Sequence, residues 1–149
     1  MNDLDERVQI LRRLRRYLEQ QRNRFASYLD LLDRQDTVIR SGEVDRLRHY
    51  VELEQAIITD ILTIQRAIDP LEELYRRAYP LGDPSVSDLK SRLRQIREQA
   101  VTRNEQNRLL LQERLECLRL EIKEAGRRGR VPVSPFARIG EPKLVDIRS

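Results

Sequence analysis

Apolar side chains recur every seventh residue at Leu4, Leu11, Leu18, Phe25, Leu32 and Ile39, with no glycine or proline among them. A seven-residue apolar repeat keeps one stripe of a helix turned toward a neighbouring helix. The pattern predicts a helix over about 3–41 that packs lengthwise against others. Ser41-Gly42 closes it, because glycine enters the left-handed C-cap conformation without steric cost, and so short a link sends the next helix back antiparallel. Tyr50, Ile57, Ile64 and Leu71 form a second repeat, with Leu47, Ile61 and Ile68 beside it, and predict a helix over about 43–78. Asp69-Pro70-Leu71-Glu72 combines a cap, a first-turn proline and a glutamate three places on, which predicts a break or restart at 69–70. Pro80, Gly82 and Pro84 mark a second connector, and Ser85 or Ser87 is expected to cap a third helix over about 86–125.

The predicted fold is all-α: an elongated antiparallel bundle of three long helices over 1–125, followed by a disordered C-terminal tail. Residues 126–149 hold three prolines, three glycines and no helical period, a composition that cannot bury enough apolar surface to order itself. The tail also carries the charge excess. Of 29 basic and 25 acidic residues, six and two lie in 126–149, which leaves 1–125 balanced. Phe136, Ile139, Leu144, Val145 and Ile147 stand in it as apolar islands, the pattern of a flexible basic segment that orders on a partner.

The sequence offers little to catalysis. His49 is the one histidine and Cys117 the one cysteine, with no second ligand in helical register with either, so neither a metal site nor a cofactor site is expected. No glycine-rich loop opens a helix, and the carboxylates have basic neighbours three or four residues away. The chain reads as a non-enzyme. A single cysteine excludes an intrachain disulfide, and neither a signal peptide nor a membrane span is expected, which together point to the cytoplasm.

The apolar content of the third helix is uneven. Residues 109–122 hold Leu109, Leu110, Leu111, Leu115, Cys117, Leu118, Leu120 and Ile122, more than one buried stripe requires. At 100° per residue Leu111, Leu115, Leu118 and Ile122 share a face, whereas Leu110 with Cys117, and Leu109 with Leu120, fall on two others. The surplus serves a thicker end of the bundle, a seam between copies, or a groove for an apolar helix of a partner.

Two stretches carry a resemblance. GEVDRLRHYVELEQAIITDI at 42–61 is similar to the acidic entry into the second helix of the FlgN family of flagellar export chaperones, and RNEQNRLLLQERL at 103–115 resembles that family's paired asparagines followed by leucines. The order of long helix, short turn, long helix, proline-marked connector, long helix and loose tail agrees over the whole chain. The resemblance implies a cytosolic type III export chaperone that binds the C-terminal helical region of hook–filament junction proteins (FlgK/FlgL type) and delivers them to the flagellar export gate. It implies that Asn104, Asn107, Leu110, Leu111, Leu115 and Leu118 face the client. The family's tail tyrosine has no counterpart, since no tyrosine follows Tyr79; Phe136 is the nearest aromatic substitute, and with Ile139 it stands for the gate-docking site.

Two other readings remain. A self-associating structural coiled-coil subunit would use the same stripes to form a homo-oligomer without a secretion client. A nucleic-acid adaptor would use Arg12, Arg13, Arg15 and Arg16 with Arg127, Arg128 and Arg130, but four net charges make no concentrated basic surface, and no nucleic-acid partner is expected.

Overall fold

The computed structural model describes residues 2–128, and these form three helices and no strand: α1 (Asp3–Ser41), α2 (Val44–Ala78) and α3 (Pro84–Arg127). The fold is all-α. Asn2 caps α1, its side-chain oxygen accepting from Leu4 N at 3.3 Å, and Asp3, Asp5 and Glu6 place negative charge on the exposed amides of the first turn. Gly42 ends α1: its N–H still makes the last helical bond, to Val38 O at 3.1 Å, while its φ of 76° turns the chain out of the helix, a conformation glycine takes without strain.

The helices pack as two compact units, each taking one segment of every helix: residues 2–29 with Ala56–Ala100, and Asp30–Gln55 with residues 101–128. In the first unit Leu14, Leu18 and Phe25 of α1 are buried, as are Ile61, Ile68 and Leu71 of α2 and Val86, Leu89 and Leu93 of α3. Gln21 donates to Ile61 O at 3.3 Å and to Gln65 Oε1 at 2.9 Å, which fixes the antiparallel register of α1 and α2. In the second unit Val38 and Ile39, Leu47, and Leu111 and Leu115 form one cluster, one group from each helix.

Four details differ from the sequence reading. The α1 repeat is buried from Leu18 to Ile39, but Leu4 is exposed at the helix start, where no neighbour covers the first turn. On α2 the buried line is Leu47, Glu54, Ile61, Ile68 and Tyr75, while Tyr50, Ile57 and Ile64 are half-buried beside it. The break expected at 69–70 does not interrupt α2, which runs through Pro70. Pro70 removes one amide donor, but both it and Arg66, whose carbonyl loses that donor, are exposed, so the gap in the helical bonds falls on the solvent side.

The start of α3 also differs, at Pro84 rather than 86. Asp83 is the cap: its Oδ1 accepts from Ser85 N at 2.9 Å and from the Ser85 hydroxyl, with Pro84 in the first helical position, where its missing N–H costs nothing. Tyr75 holds the cap from α2, its hydroxyl accepting from Asp83 N at 2.6 Å. The Ser85 hydroxyl bond, followed by the Ser85 amide, holds the Asp83 carboxyl below its usual range. A lowered carboxyl contributes stability that is present above its ordinary value of 3.8 and is lost as pH falls through the lowered one. Asp83→Ala is therefore expected to lower the melting temperature at neutral pH, with most of the loss restored by Asp83→Asn. Melts of wild type and Asp83→Asn below pH 3.8 should show the wild type falling further.

Candidate functional site

The second unit contains a layer of polar side chains in its interior, one contribution from every helix. Gln35 of α1, Glu54 of α2, and Asn104 and Asn107 of α3 are each at most 2% exposed. Glu54 Oε2 accepts from Gln35 Nε2 at 3.1 Å, and its Oε1 accepts from Asn104 Nδ2 at 3.0 Å. Asn107 Nδ2 donates to Gln35 Oε1 at 3.1 Å and to Leu32 O at 2.9 Å. A carboxylate placed among apolar side chains is tolerated only when donors replace its water, and here amides from two helices do so. A one-residue slip of any helix would separate these groups, so the layer specifies register as interior polar residues do in coiled coils.

This geometry revises the expected client-facing set. Asn104 and Asn107 point inward and are occupied in the layer, and Leu111 and Leu115 belong to the core cluster, so none of the four can meet a client while the helices are packed. The asparagines look like surface residues because they are polar. Their spacing says otherwise, since Ala100, Asn104, Asn107 and Leu111 step by four, three and four residues along one buried stripe. Leu110 and Leu118 are half-buried against the same cluster and reach its edge.

Beyond that edge α3 presents apolar side chains to solvent. Leu109 and Leu120 are 57% and 58% exposed, and Cys117 is exposed too. Within the half-buried row between core and exposed face, Arg114 lies one turn from both Leu110 and Leu118. Its Nε is buried and has no hydrogen-bond acceptor among the described residues. A buried donor without an acceptor is uncommon and marks a place where an added oxygen would be favourable. The uneven apolar content of the sequence thus resolves into one inward stripe and one outward face on which Leu109 and Leu120 stand three turns apart with exposed Glu113 and Glu116 between them, and these two leucines fall outside the set implied by the resemblance.

Phe136 and Ile139 lie outside the described residues, as does most of the tail. His49 is exposed on α2. Among the described residues no group of three or more histidine, cysteine or acidic side chains is arranged to hold a metal, and no helix is long and apolar enough to cross a membrane.

The chain is similar to a protein of Treponema pallidum (strain Nichols) described as uncharacterized, with 33% identity over 122 residues, which is 82% of this chain and 79% of that protein. No protein-family model matches it, and no solved structure matches it.

Proposed function

We propose that this chain, which belongs to the same family as the Treponema pallidum protein, is a cytosolic flagellar export chaperone of the FlgN type. It binds the C-terminal helical region of a hook–filament junction protein and delivers it to the export gate. The observation that carries this reading is that the two stretches behind the resemblance meet in one layer. Glu54, from the first, accepts from Asn104, from the second, although fifty residues separate them in sequence. Resemblance in two distant stretches is thereby one feature of the fold, the interior that sets the helices around α3. The asparagines act as the layer that positions α3, and the client lies on its outward stripe of Leu109 and Leu120, with Leu110 and Leu118 at the margin. The basic tail, with Phe136 and Ile139, serves the gate.

A client's helix can cover such a face, with a leucine at each end and Glu113 and Glu116 between, because each leucine it buries fully contributes about 1.5–3 kcal/mol, more than a tenfold change in affinity. Leu109→Ser with Leu120→Ser is expected to weaken binding of a junction protein's C-terminal segment by at least about tenfold. Helicity and melting temperature should stay at wild-type values, because both side chains are already exposed. Calorimetric titration and thermal melts check the two halves. Undiminished client binding by the double variant would remove the outward stripe from the mechanism. A wild-type chain that self-associates through the same leucines and ignores the client would favour the structural coiled-coil reading.

A further inference from the structure

We infer that the first unit holds a binding cleft for a small, doubly charged oxyanion, of phosphate or dicarboxylate type, between Lys90, Arg94 and Arg97 of α3. The three cations stand on successive turns of one helix, at spacings of four and three residues, which brings like charges side by side where they repel. Lys90 is relieved by Glu72, its Nζ lying 2.8 Å from that carboxylate. Arg94 and Arg97 form no ion pair among the described residues, which leaves the cleft with two uncompensated positive charges.

These arginines border a concavity. A cavity of about 250 Å³ opens among α1, α2 and α3 of this unit, with Leu18, Ile68 and Leu93 in its wall, the amide side chains of Gln21 and Gln65 beside them, and the Glu72 carboxylate, held by Lys90, on its lining too. At about 30 Å³ per water, that volume holds roughly eight waters, enough for a phosphate or a four-carbon dicarboxylate together with part of its hydration. A recess holding more positive than negative side chains raises the local concentration of anions, and two guanidinium groups present planar donor pairs suited to oxyanions. Gln21 is buried and already spends its Nε2 on Ile61 O and Gln65, so the floor is fixed before any ligand arrives. The site lies in the first unit, on side chains the chaperone reading does not use, and it stands or falls independently of that reading.

The test is titration of the full chain at constant ionic strength with inorganic phosphate and, in a second arm, with succinate, followed by calorimetry and by the shift in melting temperature. Saturable binding with a dissociation constant on the order of 1 mM or below is expected in at least one arm, and the tighter arm identifies the ligand type. Arg94→Gln with Arg97→Gln should weaken it by at least about tenfold and abolish the ligand-induced rise in melting temperature. The same double variant should melt no lower than wild type without ligand, because it relieves repulsion. Arg12→Gln with Arg13→Gln, which removes two exposed cations of α1 outside the cleft, should bind as wild type does. Absence of saturation in both arms overturns the proposal. So does equal weakening in the two double variants, which would mean binding to net charge alone, or unchanged binding when Arg94 and Arg97 are replaced.

Discussion

Leu18→Asp is expected to unfold the first unit at room temperature. Leu18 is 2% exposed in the middle of the α1 repeat, and the first unit buries Ile68 of α2 and Leu93 of α3 with it. The substitution removes a leucine's burial, about 1.5–3 kcal/mol, and puts a carboxylate into the wall of the cavity that Ile68, Leu93, Lys90, Arg94 and Arg97 also line. Taking that carboxylate out of water adds several kcal/mol, and the sum approaches the whole stability of a domain this size, about 5–15 kcal/mol. Circular dichroism should show lost helicity at 25 °C, or a melting temperature lowered by well over about 10 °C. Leu4→Asp, at the exposed start of the same repeat, should melt as wild type does. A wild-type melt for Leu18→Asp would refute the seam.

The second large effect concerns the polar layer. Glu54→Ala removes the oxygen atoms that Gln35 Nε2 and Asn104 Nδ2 donate to, in a site shut off from water. Each amide deprived of that acceptor costs about 1–3 kcal/mol, and the vacated side-chain volume adds to the loss. At about 2–4 °C per kcal/mol, the melting temperature should drop by roughly 5–15 °C. Glu54→Gln keeps the shape and one acceptor, so its loss should be smaller. Coupling is the sharper readout: Glu54→Ala and Asn104→Ala share one bond, and the double variant should be less destabilised than the sum of the two singles. Additive losses would show that the layer does not act as a unit.

Why the layer escaped a reading of the sequence is physical. Leu18, Phe25, Leu32 and Ile39 were legible because every member of the repeat is apolar and every seventh position is filled. The matching line on α2 is equally regular, but Glu54 occupies its second place, and a charged residue breaks an apolar pattern even when it points inward. Gln35, Asn104 and Asn107 are hidden for the same reason. A polar residue in a core position becomes visible only once its partners, fifty or seventy residues away, are known. The helix ends show the same division. Gly42 was legible because only one local conformation was needed, whereas the continuity of α2 through Pro70 depends on which side of the helix meets solvent. The Asp83-Pro84 pair did contain the true start of α3, as a capping residue followed by a first-turn proline, with two serines just beyond competing for the role.

The outward stripe on α3 was legible in part. Helical geometry places Leu109 and Leu120 apart from Leu111 and Leu115, but arithmetic along one helix does not say which face the neighbours cover. The structure supplies that by burying Leu111 and Leu115 in the second unit's cluster. A motif records which side chains recur and leaves open whether they touch a partner or, as Asn104 and Asn107 do here, hold the helices together.

The most direct measurement is calorimetric titration of the wild-type chain with the C-terminal helical segment of a hook–filament junction protein from the same cell, with the molar mass of the product read by light scattering. The account predicts saturable binding and a complex of one chain with one segment. No binding at concentrations where the chain is folded and monodisperse would contradict it.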